Sequence, residues 1–172
     1  MDNITDQTLQ GVLTHTATGN VYEGTFVDGY LHGKGKITYS SGGYFKGNFV
    51  NGNKHGRGYA VFKSGSIYQG NWENNNINGR GKNSFANGDV YIGEWKNNKI
   101  HGKGTYFYKD GSIFEGTWFN GHKNGFGKLT TKYAFYEGEW INNIWGQNTT
   151  IPGNYTVHKF RRSKRIDKKN YT

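Results

Sequence analysis

Between Tyr22 and Gly146 the chain alternates apolar and polar positions in short bursts that glycine and asparagine interrupt. In Tyr22-Glu23-Gly24-Thr25-Phe26 the two aromatics and the glycine fall on odd places and the polar residues between them. Tyr68-Gly70-Trp72 and Tyr91-Gly93-Trp95 repeat the pattern. A period of two puts the rings and the glycine on one face of a strand and Glu23 and Thr25 on the other. A second arm follows. Gly35, Ile37 and Tyr39 share one face, and Lys34, Lys36 and Thr38 share its opposite; Gly58-Ala60-Phe62 and Gly104-Tyr106-Tyr108 behave alike. The pattern predicts two short strands per unit, the second beginning at the paired glycines. It also predicts tight turns between units at Ser41-Gly42, Ser64-Gly65, Asn87-Gly88 and Asp110-Gly111, and longer ones between arms at Asp28-Gly29 and Asn51-Gly52.

The leading aromatic recurs at Tyr22, Phe45, Tyr68, Tyr91, Phe114 and Tyr136, at intervals of 23 residues and finally 22. A fixed period of that size marks a repeat architecture. Antiparallel hairpins added side by side form one elongated single-layer sheet, advancing about 10 Å per unit and on the order of 60 Å over six. Gly11 to Thr18 resembles the second arm of a unit, an opening half-unit that caps the edge. A helical reading fails, because glycine this dense costs about 1 kcal/mol per residue in a helix. The expected organisation is an N-terminal segment at 1–10, the repeat sheet at 11–146, a closing strand at 147–160 and a basic tail at 161–172.

Tyr-Glu-Gly-Glu-Trp at 136–140 and His-Gly-Lys-Gly at 101–104 resemble the membrane occupation and recognition nexus (MORN) repeat. The resemblance covers about residues 20–146 in six copies. It implies a twisted sheet of hairpins that serves as a scaffold or dimerisation module, with members at membranes or on acidic phospholipids. Departures are Asn78 and Asn124 for histidine, Phe126 for the basic residue between the glycines, and a last copy worn down to Trp145-Gly146-Gln147-Asn148.

Composition narrows the chemistry. Glycine supplies 28 of 172 residues and cysteine none, so disulfides and thiolate metal sites are excluded. No apolar run approaches the roughly 18 residues of a spanning helix, and Met1 to Asp6 carries no secretion signal. The chain reads as intracellular, soluble or peripheral to a membrane. His32, His55 and His101 stand at equivalent places about 10 Å apart, too far to share a zinc ion. The Gly-Lys-Gly units lack the continuation of a phosphate loop. No catalytic, metal or cofactor residue is assigned, and the expectation is a non-enzymatic protein without cofactor.

Charge supplies the candidate site. Of the net charge of +10, residues 158–172 hold +6. Within the repeats Lys34, Arg57, Arg80 and Lys103 fall between the paired glycines of four consecutive units, with Lys36 and Lys82 beside them. They form a row on the polar face that Arg161, Arg162, Lys164 and Arg165 of the tail extend. The row is either solvated charge, balanced by Glu23, Glu94 and Glu139, or a track for a partner or polyanion. The first reading of function is a scaffold or adaptor docking a protein partner or a second copy. The alternative is peripheral binding to acidic phospholipid membranes, and nucleic acid is disfavoured.

Overall fold

A computed structural model of the chain describes residues 8–146. Thirteen strands form a single antiparallel sheet in which spatial order equals chain order: β1 (Thr8–Thr14), β2 (Val21–Val27), β3 (Tyr30–Thr38), β4 (Gly43–Val50), β5 (Asn53–Phe62), β6 (Ile67–Glu73), β7 (Asn76–Ser84), β8 (Val90–Lys96), β9 (Lys99–Phe107), β10 (Ile113–Phe119), β11 (His122–Thr130), β12 (Phe135–Ile141) and β13 (Ile144–Trp145). The all-β repeat sheet expected from the periodicity is the fold. β1 begins at Thr8, three residues ahead of Gly11, so the sheet reaches into the stretch 1–10 that the sequence leaves outside it. The closing strand at 147–160 and the basic tail lie outside the described residues.

Two local expectations are corrected. The second arm starts well before its glycine pair, at Tyr30, Asn53, Asn76, Lys99 and His122. The turn lengths are also reversed. The arms are joined by two residues only, as at Asp28-Gly29 and Asn97-Asn98, while four or five residues separate consecutive units. Asp28 (φ 49°) and Gly29 (φ 81°), like Asn97 (φ 48°) and Asn98 (φ 64°), both take positive φ. That is the primed turn whose twist matches the flanking strands. The Ser-Gly and Asn-Gly pairs instead close a wider loop: the Gly65 N–H donates to the Phe62 carbonyl at 2.9 Å, and Gly88 to Phe85 at 3.0 Å. The second arm can begin early because it carries a bulge. Pairing slips between Gly24 and Phe26 on β2 as β3 passes through Gly33, whose φ of +75° is open to glycine.

The second glycine of each pair has a different duty. Gly35, Gly58, Gly81 and Gly104 face the first-arm glycines Gly24, Gly47, Gly70 and Gly93 from strand to strand and form with them a continuous line across the sheet. Phe45, Tyr68, Tyr91 and Phe114 lie down on that line and are fully buried. A Cβ at Gly104 would stand 2.2 Å from the Tyr91 hydroxyl oxygen, so the ring occupies the space a side chain would fill.

Tryptophans stand edge-on between these rings. Phe49, Phe45, Trp72, Tyr68, Trp95, Tyr91, Trp118, Phe114 and Trp140 touch in succession with centroids 5.0–5.6 Å apart and planes at 75–87°. Each such contact is worth about 0.5–1.5 kcal/mol beyond the area it buries. This is how a sheet with no second layer acquires a core. Trp95, Trp118 and Trp140 also donate Nε1–H to the carbonyls of Gly81, Gly104 and Gly127 at 3.1–3.4 Å, tying each unit to the one before.

Candidate interaction surface

The face opposite the rings carries the basic row. Lys34, Arg57, Arg80 and Lys103 are all exposed. Across the strand gap they meet Asn48, Asn71, Glu94 and Thr117. Each follows the bulge glycine of its unit, so the same backbone distortion aims all four at one face. Phe126 holds the fifth place of the row, opposite Glu139, and is 58% exposed. Among the described residues the single ion pair joins Lys36 Nζ to Glu23 Oε1 at 3.3 Å, beside the row and not in it. Arg161, Arg162, Lys164 and Arg165 lie outside the described residues, so only the first four predicted basic residues are seen together.

The histidines meet different surroundings. His55 and His101 border one open depression of about 670 Å³ with Glu73, Asn78 and Glu94. The Asn78 amide donates to the Glu73 carboxylate there. A second depression of about 430 Å³ repeats it one unit on, with His101, Asn124 and Glu139 on its wall. Among the described residues no three His, Asp or Glu side chains converge as metal ligands.

This face is not uniformly polar. The residue just before each leading aromatic (Val21, Tyr44, Ile67, Val90, Ile113 and Phe135) lies on it. Val61 and Phe107 pair into the same line, and Ile92, 47% exposed, stands next to it. A line of apolar side chains, broken by Thr38, Ser84 and Thr130, therefore runs parallel to the basic row, two same-face positions from it. The signal was present in the sequence as an apolar residue one place ahead of each ring.

The aromatic face carries two lysines that the basic row does not include. Lys54 and Lys123 occupy the place that Leu31, Ile77 and Ile100 fill in other units, each opposite the aromatic that ends the first arm. Lys54 Nζ sits over Tyr39, Phe45 and Trp72 at 5.1–5.3 Å from their centroids. Lys123 Nζ sits over Tyr108, Phe114 and Trp140 at 4.8–5.2 Å. Desolvation holds both ammonium groups below the ordinary lysine pKa, Lys54 against a smaller opposing pull from Tyr22. Burial, together with the charges of Asp89 and Asp110, pushes the Tyr108 phenol up to about 12.

The family model described as MORN repeat matches residues 22–44, 45–67, 68–90, 91–113, 114–132 and 136–147. No curated protein matches the chain. Among solved structures, the wild-type TCP10 domain of Danio rerio CPAP in complex with a peptide of Danio rerio STIL aligns at 13% identity and a TM-score of 0.34. That alignment covers 78% of this chain and 69% of that one.

Proposed function

The chain belongs to the MORN repeat family, and from that premise we propose that it is a non-enzymatic scaffold or adaptor that docks a protein partner through the face opposite its rings. The observation that carries this reading is the apolar line on this face together with two exposed residues, Ile92 beside the basic row and Phe126 within it. Scattered surface hydrophobics mean little, but apolar side chains aligned across a sheet and flanked by charge mark an interaction surface. A partner buries the apolar line and meets Lys34, Arg57, Arg80 and Lys103 at its margin, where charge sets orientation and encounter rate. Affinity capture with the full chain tests it. Ile92→Lys with Phe126→Lys leaves the melting temperature unchanged and abolishes recovery of the partner; undiminished recovery refutes this surface.

A second reading rests on the four basic groups standing exposed on one face without a paired carboxylate among the described residues. Near an acidic bilayer each is worth about 1 kcal/mol. Binding to phosphatidylserine vesicles then falls with salt, with removal of residues 159–172, and with charge reversal of Arg57, Arg80 and Lys103. An intact protein that ignores such vesicles at low ionic strength eliminates the membrane reading.

A further inference from the structure

The two aromatic-face lysines belong to a duplicated constellation. Tyr39, Phe45 and Lys54 are spaced by six and nine residues, and Tyr108, Phe114 and Lys123 by the same intervals. The two intervening units change all three positions together. Phe62, Tyr68 and Ile77 stand in one, and Phe85, Tyr91 and Ile100 in the other. Where the ring on the glycine line is tyrosine, its hydroxyl donates to a backbone carbonyl and a buried aliphatic residue stands in the lysine's place, opposite the unit's tryptophan. Where that ring is phenylalanine, lysine covers it and a tyrosine borders the lysine. A lysine chosen only to shield apolar surface has no need of the matched tyrosine, since Ile77 and Ile100 already shield it.

Among the described residues neither ammonium has a carboxylate within ion-pair distance. Each is a half-buried cation held on π faces, which leaves its N–H donors free for an anion. The two sites differ in one donor: the Nε1–H of Trp72 beside Lys54 is buried without an acceptor, whereas Trp140 beside Lys123 bonds to the Gly127 carbonyl, as Trp95 and Trp118 bond to theirs.

We propose that Tyr39, Phe45, Lys54 and Trp72 form one carboxylate receptor, that Tyr108, Phe114, Lys123 and Trp140 form its twin, and that together they hold an acidic, extended segment of a partner protein along the aromatic face. This rests on the docking reading above and adds a second surface to it. The partner's chemistry follows from geometry and charge. Lys54 lies on β5 and Lys123 on β11, six strand spacings or about 29 Å apart. An extended chain covers that distance in about nine residues at roughly 3.3 Å each. Two Asp or Glu side chains about nine places apart therefore reach both ammonium groups, with apolar residues between them over Ile77 and Ile100. A planar bilayer meets protruding charges first, and these two are set down among rings.

The test uses the full chain and a fluorescent peptide of leucine and serine carrying two aspartates nine positions apart, read by anisotropy. A peptide with asparagine at both places is the control. The diacidic peptide binds at least tenfold more tightly than the control, because engaging one receptor raises the effective concentration at the other. Lys54→Ile with Lys123→Ile removes that advantage while the melting temperature holds or rises, isoleucine being the residue the intervening units already use. Lys54→Arg with Lys123→Arg keeps it. Equal binding of the two peptides by the unmodified protein overturns the proposal. So does phosphatidylserine-vesicle binding that depends on Lys54 and Lys123 while the peptide does not. Recovery of a partner equally by the unmodified protein and the double isoleucine variant overturns the receptors and leaves docking by the opposite face intact. Loss of recovery only with Ile92→Lys and Phe126→Lys has the same meaning.

Discussion

The third and fourth repeats differ from the second and fifth in how they spend one polar group. Tyr68 and Tyr91 turn theirs inward: the hydroxyls donate to the carbonyls of Asn71 at 3.2 Å and Glu94 at 3.1 Å, and Ile77 and Ile100 are buried opposite Trp72 and Trp95. Phe45 and Phe114 have no hydroxyl to place, and the polar group arrives from above as Lys54 and Lys123. The glycine line and the edge-on aromatic neighbours are common to both kinds of unit, Phe49 standing in the second where the others carry tryptophan. One arrangement is sealed by a hydrogen bond that satisfies a buried group. The other leaves a cation only partly compensated, which costs stability and keeps a binding group in reach. A repeat array can thus differentiate its units without altering their fold.

The most severe break in the comparison removes what both kinds of unit share. Trp95→Ala deletes the edge contacts to Tyr68 and Tyr91 and costs about 3–5 kcal/mol in denaturant unfolding. Tyr133→Ala, exposed and away from the aromatic layer, costs under about 0.5 kcal/mol. Gly104→Ala comes next. It forces the Tyr91 ring off the glycine line and costs about 1–3 kcal/mol, with a change in the near-ultraviolet spectrum of the aromatics.

Lys54→Ile with Lys123→Ile converts the second and fifth units to the sealed type and raises the melting temperature by a few degrees, on the order of 1 kcal/mol. Its pH dependence identifies the cause. Desolvation lowers both lysine pKa values in the folded state. The destabilisation is therefore fully present below the folded pKa and is relieved as pH rises through it toward the ordinary value near 10.4. The stability gap between the variant and the unmodified protein narrows over that alkaline range. A gap independent of pH points to volume and not charge.

Tyr91→Phe unseals the fourth unit without supplying a cation, and costs about 0.5–1.5 kcal/mol. The smallest effect lies at the junction between the third and fourth units. Asp89 accepts from the Lys109 N–H, the Tyr106 hydroxyl and the Asn87 amide, each at 2.8 Å. Its pKa is lowered chiefly by the bond from the Lys109 backbone. Its contribution is present above the unfolded carboxyl value and is lost as pH falls through the folded one. Asp89→Asn thus flattens the acid limb of the stability profile: its small loss of stability is present at neutral pH and disappears as pH falls through the folded carboxyl value.

The sequence carried the fold because a ring, a glycine and a second ring at period two leave one strand face, and a 23-residue interval leaves one way to stack the hairpins. It misjudged the turns because Ser-Gly and Asn-Asn are both compatible with positive φ, and only the bulge at the first paired glycine shows where the second arm starts. The four basic residues within the repeats were legible from their fixed place between glycines. The apolar line was legible at Val21, Tyr44 and Ile67 but hidden by a frame that began at the ring. Lys54 and Lys123 were harder, since a lysine in a turn-proximal stretch reads as solvated until the register sets it opposite Phe49 or Trp118. Bonds between turns of neighbouring units are also a matter of three dimensions: the Asn75 and Asn98 side chains accept from the backbone N–H of Lys54 and Ile77 in the preceding unit.

The glycine line gives the array the property of a modular ruler. Each strand meets its neighbours through the same side-chain-free crossing, so excision of residues 68–90 joins Ile67 to Tyr91 in the setting that Val90 already provides. The shortened protein keeps its crossings and its ring contacts, and its two lysines stand about 10 Å closer together. Duplication of the same segment moves them apart by as much. Gene-level gain or loss of one unit therefore recalibrates the reach of the aromatic face in fixed steps, with no new interface to evolve.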